Sequence, residues 1–230
     1  MGLKTIVVNA ILFDMDGTLI DSTPGLVKAW EAFCKDYNLG DPMKIVHETH
    51  GRRLYDTLKD VCGIRDEQKL QVEIERFEAE VIRGGPVALP GVISLLTKLK
   101  SDHPSSWTIV TSATAFYAPR ALEQCGISLP IAGIVTSNDV EHGKPHPDPY
   151  LAGARKCRTD PHKCLVIEDA ISGLKSGRNA GSKTLAVCTS TQRAAIVGSD
   201  AHPDYVVKDL TKVTIQRVDG GIEVTMDDEA

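Results

Sequence analysis

No run of about eighteen apolar residues, the length a membrane-crossing helix needs, occurs in this 230-residue sequence. Clusters of Lys and Arg are also missing and the formal net charge is -5, so neither a nucleic acid nor a membrane surface is an expected partner. The six cysteines, Cys34, Cys62, Cys125, Cys157, Cys164 and Cys188, contain no CxxC pair. Their scatter argues against a zinc site or a disulfide framework and for buried free thiols in a reducing compartment. There is no internal repeat and no long low-complexity tract, and 42% hydrophobic with 25% charged residues is the balance of an ordinary folded protein. The opening MGLKTIVVNAILF is interrupted by Asn9 and lacks a cleavable signal design. Ile6 stands where a myristoylation signal requires Ser or Thr. A cytoplasmic monomer is the resulting expectation.

What is present is alternation. The length lies near the top of the single-domain range, so one large domain or a core with an insertion is expected. Short apolar, β-branched runs at 5–13, 107–112, 132–137, 163–169 and 183–188 are separated by segments at 94–101, 118–126, 148–157 and 170–181 whose apolar positions recur every three to four residues. This pattern predicts an α/β fold: a doubly wound, Rossmann-like parallel sheet covered by helices on both faces.

Residues 22–87 break the alternation. LVKAWEAFCKDY, RRLYDTLKDVCG and the charged run from Asp66 to Arg83 read as helices, the last ended by Gly84, Gly85 and Pro86 and most simply a solvated face. We therefore expect a sheet core formed by 1–21 and 88–230 and a small inserted helical domain formed by 22–87 over the strand ends. The sequence LPGV at 89–92 marks the return to the sheet. Near the end, the runs around Asp219, Gly220 and Gly221 predict a hairpin over 214–224, and MDDEA beyond it a solvated tail.

Ligands of open parallel sheets sit beyond the carboxyl ends of the strands, so the polar residues directly after the apolar runs are the site candidates. They are Asp14 and Asp16 in a turn opened by Gly17, then Thr111 and Ser112, then Lys144 in SNDVEHGKPHP, then Glu168 and Asp169. Carboxylates gathered at one site raise one another's pKa unless a cation joins them. Oxygen donors with few others suit a hard ion that keeps its waters, Mg²⁺. His142 and His146 flank Lys144, but nothing else supports a histidine-rich transition-metal site, and loop histidines are the expectation.

DMDGT, then a hydrophobic strand ending in Thr or Ser, then the GKP lysine, then IED, spread over residues 11–169 in this order, resemble the motifs of the haloacid dehalogenase superfamily. The helical insertion is similar to that superfamily's small cap, and THGRRLYDTL, IVTSAT and VIEDAISGLKSGRNAG resemble fungal glycerol-phosphate and 2-deoxyglucose-6-phosphate phosphatases. The resemblance implies a hydrolase of a small phosphorylated substrate. Asp14 would attack phosphorus and form an aspartyl phosphate, and Asp16 would serve as general acid and then base. Mg²⁺ would be held by Asp14, the Asp16 carbonyl and Asp169 with Glu168 in support, while Lys144 and Ser112 or Thr111 would hold phosphoryl oxygens. Arg52 and Arg53 would face the substrate from the cap's specificity loop. Relatives that cleave carbon–halogen bonds do not need an acid two residues after the nucleophile, so Asp16 favours phosphoryl transfer. Asp21, the third carboxylate of ILFDMDGTLIDS, is expected to cap the helix beginning near Pro24. A phosphosugar mutase of the β-phosphoglucomutase type and a non-catalytic phosphate-binding protein are the alternatives.

Overall fold

The computed structural model describes residues 2–228. In chain order its strands and α-helices are β1 (Leu3–Val8), β2 (Ala10–Phe13), β3 (Ile20–Asp21), α1 (Thr23–Tyr37), α2 (Pro42–Glu48), α3 (Leu54–Val61), α4 (Glu67–Arg83) and β4 (Val87–Ala88). Next come α5 (Val92–Asp102), β5 (Trp107–Val110), α6 (Tyr117–Gln124), β6 (Ile134–Val135), α7 (Asp148–Lys156), β7 (Cys164–Glu168) and α8 (Ile171–Asn179). The chain continues through β8 (Lys183–Val187), α9 (Arg193–Val197), β9 (Tyr205–Val207), β10 (Val213–Val218) and β11 (Gly221–Asp227).

The main sheet has six strands in the order β6-β5-β2-β7-β8-β9, every neighbouring pair parallel. Its central strands are buried along their whole length, AILF in β2, WTIV in β5 and CLVIE in β7, because helices cover both faces. The sequence expectation of one strand over 5–13 is corrected: the chain breaks at Asn9, and β1 leaves to pair antiparallel with β11. Strand β1 alternates poorly and is largely exposed, whereas Ala10 to Phe13 are inaccessible and fit only a central strand. The hairpin around Gly220 and Gly221 forms between β10 and β11. The expected tail is partly corrected as well, since Met226 is fully buried in β11 and Asp228 pairs with Arg193, with residues 229–230 outside the described ones.

Between β3 and β4 the chain makes only helices, α1 to α4. Those two short strands pair antiparallel, Ile20 with Ala88 and Asp21 with Val87, so the helical excursion leaves and re-enters at one point. Trp30 and Phe33 of α1 meet Phe77 of α4 edge to face, centroids 5.0 and 5.1 Å apart, which fixes the pair of long helices. The reading of 66–83 as a solvated face is corrected: Leu70, Ile74, Phe77 and Val81 repeat at helical spacing and are buried, and Glu78 is buried with them.

Candidate active site

Strand β2 ends at Phe13, and the next residue, Asp14, is still tied to the sheet by its N–H, which donates to the Ile167 carbonyl at 2.9 Å. The chain then turns through Gly17, whose φ of 87° lies in the left-handed region and whose α-carbon faces Asp169 so closely that a Cβ would overlap the carboxylate. At the end of β7, Glu168 is fully buried and Gly173 of α8 makes room for its carboxylate in the same way. Two glycines thus make room for two consecutive acids at the end of β7, next to Asp14 at the end of the neighbouring strand β2.

Lys144 connects Asp14 to Glu168. Its Nζ, buried at 1% side-chain exposure, donates to Asp14 at 2.5 Å, Glu168 at 2.7 Å and the Val110 carbonyl at 3.1 Å, which uses all three ammonium hydrogens. Burial alone would lower the lysine's pKa, but the Asp14 and Glu168 charges outweigh it and raise it, so the ammonium stays charged. Glu168 is further fixed by the Tyr150 hydroxyl and by the N–H groups of Asp169 and Ala170, each at 3.0 Å.

Asp169 accepts from Thr18 Oγ1 at 3.2 Å and from Ser190, and its other main partner is His50 Nε2 at 2.7 Å, reaching in from the helical insertion. Burial opposes protonation of this imidazole, yet Asp169's hydrogen bond and charge raise its pKa to about 9. Asp14, Glu168 and Asp169 present oxygens within 4.8 Å of one another, all buried. Burial, then the charge of Glu168, holds the Asp14 carboxyl well above its usual range, with Lys144 acting the other way. A set of hard oxygen donors carrying more negative charge than its neighbours offset suits Mg²⁺.

Asp16 faces a cavity together with Asp14, Thr111, Ser112 and Arg52, with about 770 Å³ of empty space, part of it open to solvent. Ser22 at 2.6 Å and Tyr117 at 3.0 Å both donate to Asp16 Oδ1, leaving Oδ2 without a partner among the described residues. Burial raises the Asp16 pKa and these two donors partly lower it again. Thr111 and Ser112 both line the cavity: Thr111 Oγ1 accepts from the Ala113 N–H at 3.0 Å, while Ser112 Oγ donates to the Gly51 carbonyl at 2.9 Å.

The two arginines part company. Arg52 borders the cavity and its guanidinium pairs with Asp60 at 2.5 Å. Arg53 points elsewhere: it pairs with Asp56 at 2.7 Å, donates to the Glu141 carbonyl at 2.8 Å and packs on Gly143, next to the Lys144 loop. Asp21 accepts from the Thr23 N–H at 2.9 Å at the start of α1, so it satisfies an end donor and stays out of the site. His142 and His146 both turn their Nδ1 to Asp148, each at 3.0 Å, on the outside of the loop.

Sequence reasoning missed Ser22, His50, Glu78, Tyr117 and Ser190. His50, Glu78 and Tyr117 come from segments with no strand-end position to mark them; Ser190 lies just past β8, where the strand-end rule could have found it; and Ser22 was hidden by its place at a helix start, where a capping role is the ordinary reading. Its hydroxyl caps nothing and turns to Asp16 instead.

A family profile described as haloacid dehalogenase-like hydrolase matches residues 11–187. The chain is 34% identical over 205 residues to glycerol-1-phosphate phosphohydrolase 2 of Saccharomyces cerevisiae, covering 83% of this chain and 80% of that one. It is 33% identical over 213 residues to hexitol phosphatase A of Escherichia coli, covering 91% and 95% respectively. Among solved structures, a hydrolase from Pseudomonas syringae superimposes with a TM-score of 0.75 at 27% identity, over 88% of this chain and 94% of that one.

Proposed function

This chain belongs to the haloacid dehalogenase-like hydrolases, and on that premise we propose that it is a Mg²⁺-dependent phosphatase of a small polyol or sugar phosphate. Glycerol 1- or 3-phosphate is the favoured substrate and 2-deoxyglucose 6-phosphate the second choice, supported by relatives named for glycerol 1-phosphate, hexitol and 2-deoxyglucose 6-phosphate. The observation that carries the reading is that Asp14 and Asp16 open onto one cavity while Lys144 is held against Asp14.

In the first displacement the Asp14 carboxylate attacks phosphorus in line. The phosphorus–oxygen bond to the alcohol breaks as Asp16 gives its proton to the departing oxygen. In the second, Asp16 takes a proton from water whose oxygen attacks the aspartyl phosphate, which frees Asp14 and inorganic phosphate. Because Ser22 and Tyr117 both bind Oδ1 of Asp16, Oδ2 is the atom that carries the proton. Ser112 or Thr111 and the Lys144 charge hold phosphoryl oxygens, Ser112 exchanging its bond to Gly51 for one of them. Asp14, the Asp16 carbonyl and Asp169 would hold Mg²⁺, with Glu168, already saturated by hydrogen bonds, in support. The ion supplies positive charge that lets an anionic nucleophile approach an anionic ester.

We further propose the division into core (1–21 and 88–230) and cap (22–87), which the paired strands β3 and β4 at the insertion's two ends support. Arg52 is kept as a substrate contact, and Arg53 is assigned to steadying the Lys144 loop. No helix among the described residues is long and apolar enough to cross a membrane. A monomer in the cytoplasm is proposed from the acidic net charge and free cysteines.

The test compares phosphate release from glycerol phosphates and hexose 6-phosphates at matched concentrations, with Mg²⁺ and with a chelator. Release that needs Mg²⁺ and no added sugar bisphosphate is expected. Dependence on the bisphosphate would replace this reading by the mutase, and no release from any phosphomonoester would leave only phosphate binding.

A further inference from the structure

Glu78 is an acid without a role in the chemistry above, and its position is unusual. It sits in the middle of α4 between Phe77 and Val81, is 4% exposed, and lines the same cavity as Asp14 and Asp16. Its Oε1 accepts from the Thr114 N–H at 3.2 Å and its Oε2 from the Thr114 hydroxyl at 2.5 Å. Each carboxylate oxygen has a second lone pair, so acceptor capacity remains on both.

The surroundings determine what that capacity can meet. The cavity wall on this side is apolar, formed by Leu26 and Trp30 of α1 with Phe77 and Val81 of α4. The charged groups that act on Glu78 are the acids Asp16 and Glu75, and Tyr117 of α6 also feels its charge. The charges of the cations nearby are already offset, Arg52 by Asp60, His50 by Asp169, and Lys144 by Asp14 and Glu168, so Arg52 meets substrate through its remaining N–H groups and not as a free positive charge. A leaving alcohol protonated by Asp16 therefore projects its remaining atoms past one buried carboxylate and a hydrocarbon wall, with no uncommitted cation among these residues to receive a second anion.

We propose that Glu78 determines selectivity for the leaving group: it accepts a hydrogen bond from a hydroxyl of the departing alcohol and repels a second anionic group there. Esters of neutral polyols are favoured, and esters of hydroxy acids and bisphosphates are rejected. This rests on the phosphatase reading and assigns to one residue the preference for uncharged, hydroxylated alcohols over acidic ones. Missing or misplaced charge in a buried polar site discriminates far more sharply than a change of size.

Two probes of closely similar size decide the matter, 2-hydroxyethyl phosphate and 2-phosphoglycolate, which differ in bearing a hydroxymethyl or a carboxylate group. They are assayed at pH 8, above the value of about 7 to which burial raises Glu78 despite its Thr114 bonds. The wild-type protein with Mg²⁺ is expected to favour the hydroxyl ester in kcat/KM by about tenfold or more. Glu78→Gln keeps the shape and should shrink that ratio at least about fivefold, mainly through KM. Thr114→Val, which removes the hydroxyl that binds Glu78 but leaves the charge, should keep the wild-type ratio. If Glu78→Gln slows both esters equally, or Thr114→Val collapses the ratio as Glu78→Gln does, the residue only joins the helices to the sheet domain and the proposal fails while the phosphatase reading stands. If the wild type releases phosphate from neither probe nor from any other monoester, the phosphatase reading falls and takes the selectivity with it.

Discussion

At the scale of single residues, the site depends on charges that cannot be removed independently. Asp14→Asn keeps the side chain's shape and its place beside Lys144 but cannot attack phosphorus. We predict a fall in kcat of about 10⁴-fold or more, read by phosphate release, with the unfolding temperature no lower than that of the wild type. Lys144→Met should do the opposite kind of damage. It leaves the buried Asp14 and Glu168 without their shared cation, and such a break costs about 3–5 kcal/mol, measurable by denaturant unfolding in metal-free buffer. Asp14, Asp16, Lys144, Glu168 and Asp169 were legible as candidates because each closes or follows an apolar strand or sits in a loop stiffened by Pro145. Ser22 and Tyr117 were not, since nothing local in their segments signals that they meet at one oxygen of Asp16.

At the scale of elements, close approach sets the rules. Helix α8 can run past Glu168 only because position 173 has no side chain. Gly173→Ala should therefore displace the carboxylate, destabilise the fold by about 1–3 kcal/mol and weaken catalysis through Lys144, as checked by unfolding and kcat together. Helix α4 carries a different tension. Burial lifts Glu78 from an ordinary 4.5 to about 7. Between those values the folded state keeps a proton that the unfolded chain has released, so stability falls as pH rises from about 4.5 to about 7 and stays lower above it. At 1.36 kcal/mol per unit the loss is up to about 3 kcal/mol. Glu78→Gln should remove this slope: its unfolding free energy should exceed the wild type's at pH 8 and converge with it near pH 5. The charged composition of 66–83 concealed this, because a single acid on a buried stripe is not separable from its solvated neighbours without knowing which face turns inward.

At the scale of the whole molecule, one apolar cluster runs from Ile11 and Phe13 of the sheet through Leu19 and Ile20 to Trp30, Phe33 and Phe77 of the insertion. Its continuity predicts a single calorimetric unfolding transition rather than separate melting of helices and sheet; two resolved transitions would show the contacts between them to be weak. The sequence by itself determined the alternation of strand and helix, the helical insertion, and the five charged groups that converge, because each of these is set by local periodicity or by a polar residue placed at the end of a buried strand or in a stiff loop. Tertiary structure alone decided that Asn9 splits the first apolar run between two sheets, that Arg52 borders the cavity while Arg53 steadies a loop, and that His50 and Glu78 reach the site from the insertion. These are contacts between residues as far apart in sequence as Leu3 and Asp227, and long-range pairing is set by which faces bury each other, which leaves no trace in the spacing of neighbours along the chain.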